Sequence, residues 1–140
     1  MEPSIAFSTY LLLDGTCKDA MEFYKSCFGG ELVMTLVGES PMKSYFPETM
    51  HKRVVNAKLV SGSVNISASD WLRPDQKAVQ GNTVCMYLSG GTRSQMKEIF
   101  EKLSAGGNVT DPLQEQPFGM YGALNDKFGN RWMFHTDSKN

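Results

Sequence analysis

From Ile5 to Leu13 the chain is apolar and aromatic, interrupted only by small hydroxyl residues, and Asp14-Gly15 closes the run. That length suits a strand better than a helix and predicts strand one. Thr16-x-x-Asp19 follows as a capping-box pattern. Ala20, Met21, Tyr24, Cys27 and Phe28 then recur at helical spacing, until Gly29-Gly30 ends helix one. Glu31 to Val37 predicts strand two, with apolar residues on both faces. Gly38 to Met50 carries Pro41 and Pro47 among Met42, Tyr45 and Phe46, which no central strand tolerates, so it predicts a loop able to lie over a cleft. Arg53 to Val60 and Ser63 to Ser69 flank Ser61-Gly62 at hairpin spacing and predict strands three and four. Asp70 to Gly81 is polar, contains Pro74 and has neither period, as a linker would.

The second half repeats this order. Thr83 to Leu88 predicts a strand, Ser89-Gly90-Gly91 a break, and Thr92-x-x-Gln95 a second capping box. Met96, Ile99, Phe100 and Leu103 form a helical stripe closed by Gly106-Gly107. A short strand near Asn108 to Thr110, a polar connection, and a hairpin of Met120 to Asn125 with Arg131 to His135 complete the set. Leu12-Leu13-Asp14-Gly15 falls on Tyr87-Leu88-Ser89-Gly90, and Phe23-Tyr24 falls near Ile99-Phe100. The repeat predicts an α+β chain of two tandem βαβββ modules: module one at 5–70, a linker at 71–81 and module two at 82–137.

At 140 residues the chain can bury a core without disulfides, and Cys17, Cys27 and Cys85 show neither paired number nor C-x-x-C spacing. The thiols are expected to be reduced. The net charge of -1 and the lack of a basic run argue against nucleic acid and anionic membrane surfaces. No stretch has the length of a membrane span, and Met1-Glu2-Pro3-Ser4 does not open a secretory signal. The expectation is a cytoplasmic protein whose partner is a small molecule or another protein.

Three segments carry a resemblance: Tyr10 to Lys25 with Cys27 to Gly30, the hairpin Asn56 to Val64 running on to Ser69-Asp70, and Tyr121 to Trp132 with its Asp126-x-Phe128-Gly129-x-x-Trp132 pattern. They resemble the PhnB-like branch of the vicinal oxygen chelate superfamily, which includes glyoxalases, bleomycin-resistance proteins and dioxygenases. The resemblance implies curled mixed sheets that form a ligand-holding cleft, and a homodimer. In metal-dependent relatives it also implies a divalent ion held by His, Gln and Glu from the first and last strands of both modules.

Placed on this sequence, those positions fall near Phe7, on Asn65 or Ser67, near Asn82-Thr83, and near Met133, with His135 two residues on. None of the four strand cores holds Glu, Gln or Asp. The expectation is therefore no metal and no cofactor. The alternative is a divalent-metal lyase, isomerase or dioxygenase using His51 and His135; a third reading is a fold serving dimerisation alone.

Cys17, in the first turn of helix one, is a candidate thiolate opposed by nearby Asp14 and Asp19. There is no nucleophile elbow, P-loop or G-x-G-x-x-G. Members of the resembled family often carry a ubiquinone methyltransferase label, but this chain lacks the Gly-rich turn and parallel order that hold a nucleotide-like methyl donor. The residues expected around a ligand cleft are Tyr10, Phe46, His51, Trp71, Phe118, Tyr121, Trp132 and His135. The function expected is small-molecule binding or metal-independent catalysis, with the 38–50 loop as a lid.

Overall fold

The computed structural model describes residues 3–140, so Met1 and Glu2, where no secretory signal is expected, lie outside the described residues. The chain divides into two compact units between Ala78 and Val79. In the first, β1 (Thr9–Leu13) leads to α1 (Cys17–Phe28) and β2 (Glu31–Leu36). Three short 3₁₀ turns follow, and then β3 (Val54–Ser61) and β4 (Val64–Asp70). In the second, β5 (Met86–Ser89) precedes α2 (Arg93–Ser104), β6 (Asn108–Gln116), β7 (Gly119–Asn125) and β8 (Arg131–Thr136). Each unit is therefore one helix and one open four-stranded mixed sheet, ordered β1-β4-β3-β2 and β5-β8-β7-β6. The α+β class follows directly.

Alternation along the strands decides what each sheet face does. On β3 and β4, Ala57, Leu59, Ile66 and Ala68 are buried and pair across the ladder, and the helix supplies buried Ala20, Met21, Tyr24 and Cys27. Asn56, Lys58 and Val60, with Asn65 and Ser67, turn to the opposite face and are exposed or half-buried. In the second unit Met96, Leu103, Leu124, Trp132 and Phe134 form the core, and the Phe100 and Phe134 rings meet edge-on at 4.9 Å. Each large side chain buried this way contributes about 1.5–3 kcal/mol. Gly122 makes room for that aromatic pair, since a Cβ there would stand 2.9 Å from Phe100 Cε2 and from the Leu113 backbone.

Several predicted boundaries move, each for a physical reason. The first strand begins at Thr9 and not at Ile5, because Thr9 already pairs with Ile66, two residues from the start of β4. Ile5 and Phe7 overhang and are fully exposed. Likewise β5 begins at Met86 and not at Thr83. The hairpin turn falls on Gly62-Ser63, one residue later than Ser61-Gly62, with Gly62 at φ 58°.

Thr92 and Gln95 form the reciprocal capping box, with Gln95 N donating to Thr92 Oγ1 at 3.1 Å and Thr92 N to Gln95 Oε1 at 2.8 Å. Thr16 forms no such bond. The acceptor comes from elsewhere: Asp70, 3% exposed, takes Cys17 N at 3.0 Å on one oxygen and Val54 N at 2.8 Å on the other. The largest departure is β6, which continues past Thr110 to Gln116 through Pro112. Register shifts flank the proline on this edge strand, where its missing N–H costs no ladder bond.

Candidate functional site

The open face of the first sheet carries a groove of about 510 Å³, inside the size range of small-molecule sites. Its floor comes from β4, through Asn65 and Ser67, and from β3, through Lys58, which lies directly across from Ser67. Ser63 lies at the hairpin end. Ala6, Phe7, Ser8 and Thr9 form the side, where the chain leads into β1. Alternation puts this set together: with Ile66 and Ala68 committed to the helix side, Asn65 and Ser67 must turn outward.

The residues expected around a cleft distribute over both units. Tyr10 pairs with Ser67 and is half exposed on the groove-bearing sheet. Phe46 and His51 meet through the backbone: His51 Nε2 lies 3.0 Å from the Phe46 carbonyl and 3.1 Å from that of Lys43. A nitrogen facing two carbonyl oxygens must be the protonated one. That brace holds the 38–50 segment in its succession of short turns. The Trp71 indole donates to the carbonyls of Arg73 and Gln76, and its own carbonyl accepts from Arg53, which also pairs with Asp14 at 3.0 Å.

In the second unit Phe118, Tyr121 and His135 come together. Tyr121 and His135 are cross-strand partners, and Phe118 lies 5.7 Å from the Tyr121 ring and 5.9 Å from the imidazole. His135 Nε2 contacts the Phe118 carbonyl at 2.8 Å. Trp132 is 2% exposed, and its indole donates to Asp126 Oδ2 at 2.9 Å. Asp126 Oδ1 accepts the amides of Phe128 and Asn130, so the motif that carries the resemblance is a turn built around a buried carboxylate. His51 and His135 belong to different units.

Sequence reading passed over Lys58, Asp70 and Asp126 as individual residues. The two aspartates sit inside the quoted motifs, which was the available signal. Lys58 lies inside the Asn56 to Val64 hairpin of that resemblance and alternates there with Ala57 and Leu59. Cys17, read as a candidate thiolate, is buried, and its thiol is pushed up to about 12 by desolvation first and by the Asp70 carboxylate second. The helix dipole does not overcome those two effects. Asp70, and not Asp14 or Asp19, is the opposing charge.

Residues 5–134 match the family described as 3-demethylubiquinone-9 3-methyltransferase. The chain belongs to that family. Its similarity extends to protein PA1353 of Pseudomonas aeruginosa, at 28% identity and a TM-score of 0.85 over 96% of this chain and 98% of that one. A PhnB protein from Bacillus cereus is 23% identical, with a TM-score of 0.74 over 93% and 98% of the two chains. A glyoxylase/bleomycin resistance protein/dioxygenase domain from Frankia, at 17% identity, shares the fold with a TM-score of 0.66 over 99% and 96%. The chain thus shares its fold with a PhnB protein and with a glyoxylase/bleomycin resistance protein/dioxygenase domain.

The family description names methyl transfer, whereas neither sheet has the doubly wound order that commonly holds a nucleotide-like methyl donor. In a doubly wound sheet a Gly-rich turn leads from the first strand into a helix that returns the chain to a parallel neighbour. Here α1 carries the chain from β1 to β2 at the opposite edge, and the parallel neighbour of β1 is β4. The divalent metal implied by the resemblance fits no better. Among the described residues no group of three or more His, Cys, Asp or Glu is placed to hold an ion. The positions expected to match the ion ligands carry Phe7, Asn65 or Ser67, Asn82-Thr83 and Met133, and the Nε2 atoms of both histidines face carbonyl oxygens. Among the described residues no helix is long and apolar enough to cross a membrane.

Proposed function

We propose that this PhnB-like protein binds a small molecule, as a ligand carrier or a metal-independent enzyme, in the groove on the open face of its first sheet. The observation that carries the reading is the identity of the groove's own residues. Phe7, Asn65 and Ser67 occupy places where metal-dependent relatives are expected to present ion ligands, and they line a cavity of ligand size instead. In the second unit Tyr121, Phe118 and His135 offer a further aromatic surface suited to a planar or apolar ligand group. We also infer a cytoplasmic homodimer. The exposed Tyr10, Leu12, Val33 and Val60 on the open face of the first sheet support a partner subunit, because scattered apolar residues become a patch when they share one face.

A thermal-shift screen of small organic molecules tests the ligand site, with Ser67→Trp as the comparison. The indole would fill the groove from an outward-facing strand position and leave the helix side of the sheet untouched. A ligand at a hundred times its Kd stabilises the native state by about 2.7 kcal/mol. Hits that raise the melting temperature of the wild type and leave Ser67→Trp unmoved support the site. Hits that shift both proteins equally refute it. Sedimentation equilibrium tests the dimer, and a monomer across the micromolar range would contradict it.

A further inference from the structure

The groove's polar side chains share one chemical character. Lys58, Ser8, Thr9, Ser63, Asn65 and Ser67 can all donate hydrogen bonds, and among the described residues no carboxylate lines the cavity. None of the six side chains has a partner within the protein among the described residues. Lys58 takes part in none of the ion pairs, which join Lys18 to Glu22, Arg53 to Asp14, Arg93 to Glu115, Lys102 to Glu98 and Arg131 to Asp111. Elsewhere hydroxyls find acceptors: Ser26, Ser40, Ser61 and Ser104 donate to nearby carbonyls, and Thr136 donates to the Gly91 carbonyl. The groove therefore holds a positive charge and a ring of uncommitted donors, with Ala6 and Phe7 as its apolar wall.

We propose that the groove recognises an organic oxyanion, with a carboxylate or phosphoryl head group held by Lys58, Asn65 and Ser67 and the organic remainder against Phe7. The inference rests on the ligand site proposed above and names its chemical class. Lys58 sits directly across the ladder from Ser67, and Val60, two residues on along β3, pairs with Asn65, so the ammonium, hydroxyl and amide stand on adjoining positions of one face. An oxyanion has acceptor capacity for all three at once, whereas a cation or a neutral donor would leave Lys58 unmatched. A lysine, as a point charge with rotatable donors, suits either head group.

The test is an amide-resolved NMR titration of the full chain with phenylphosphonate, benzoate and neutral benzamide at constant chloride-adjusted ionic strength. It is run on wild type, Lys58→Met and Lys58→Arg. Lys58 is exposed, and Lys58→Met keeps its stem, so the melting temperature serves as the check that each variant folds. The expected result is that at least one anion shifts the amides of Ser8, Thr9, Asn65 and Ser67. Its affinity should fall about tenfold in Lys58→Met, the loss of one charged hydrogen bond, and largely return in Lys58→Arg. Which of the two anions binds tighter separates phosphoryl from carboxylate recognition. Equal anion affinity in wild type and Lys58→Met would overturn the proposal. Groove shifts from benzamide alone would also overturn it while leaving the ligand site standing. No groove shift from any probe at about 10 mM would overturn it too, and the Ser67→Trp screen then decides separately whether the site itself fails.

Discussion

Asp70→Asn isolates one carboxylate that joins a helix to two strands. In the wild type, Asp70 ends β4, accepts the first amide of α1 from Cys17 at 3.0 Å and accepts the opening amide of β3 from Val54 at 2.8 Å. The side chain is 3% exposed, so water cannot substitute. Asparagine keeps the shape and exchanges one acceptor oxygen for a donor. Whichever way the amide turns, one buried N–H faces another donor. An unsatisfied buried donor costs about 1–3 kcal/mol, and the surviving bond weakens as its acceptor loses charge. The anion beside the helix N-terminus is lost as well, about 0.3–1 kcal/mol. Together these give a destabilisation of about 3 kcal/mol, or roughly 10 °C in melting temperature for a domain of this size.

Far-UV circular dichroism during thermal and urea unfolding reads the effect, with two internal comparisons. Thr16→Ala should stay within about 0.5 kcal/mol of wild type, because its hydroxyl caps nothing. Thr92→Ala should cost about 1 kcal/mol, because its hydroxyl does cap α2. A loss in Asp70→Asn below about 1 kcal/mol would refute the assignment of the cap to Asp70, as would Thr16→Ala costing more than Thr92→Ala.

Three further outcomes follow from named contacts. Trp132→Phe removes the indole donor from the buried Asp126 carboxylate and should lower stability by about 1.5–3 kcal/mol in urea titration, the range for a hydrogen bond to a charged group. Gly122→Ala drives a methyl against Phe100 and the Leu113 backbone and should cost about 1–3 kcal/mol, read in the same assay. Cys17 has a folded value raised from 9.0 to about 12, so the folded state holds its proton where the unfolded state releases it. The stability it contributes is complete below the unfolded value and is lost as pH rises through that window. Urea midpoints measured between about pH 8.5 and 11 should thus fall less steeply in Cys17→Ala than in wild type, and half-buried Cys85 should react with a thiol reagent before buried Cys17 and Cys27.

Much of the fold was legible because local and global signals agree. Gly29-Gly30 and Gly106-Gly107 mark where the helical stripes of Ala20 to Cys27 and Met96 to Leu103 stop, and both stripes are the buried faces. Thr92-x-x-Gln95 read correctly because both partners lie within one turn of chain. Thr16-x-x-Asp19 has the same spacing and misled, since the acceptor for Cys17 N is Asp70, 53 residues beyond Cys17 on β4. The polarity of its stretch hid the continuation of β6 beyond Thr110, in which Asp111, Pro112 and Glu115 spell a loop. An edge strand with shifted register accommodates all three.

The site was legible only in part. Phe118, Tyr121 and His135 converge because β7 and β8 pair in the register that their hairpin imposes. Lys58 gave no warning, because a lone lysine in an alternating strand reads as a solvated face. Its meaning depends on Ser67 standing opposite and on the absence, among the described residues, of any acid from the groove lining, neither of which is local information.

The most direct test of a ligand groove without an ion is the elemental content of the protein itself. The chain is produced in medium supplemented with zinc, nickel, manganese and iron, purified without chelator, and analysed by mass spectrometry for metals alongside its melting temperature with and without EDTA. The predicted result is metal well below one equivalent per chain and a melting temperature that EDTA does not move. One equivalent of any of these ions, removed by EDTA with a fall in melting temperature, would contradict it.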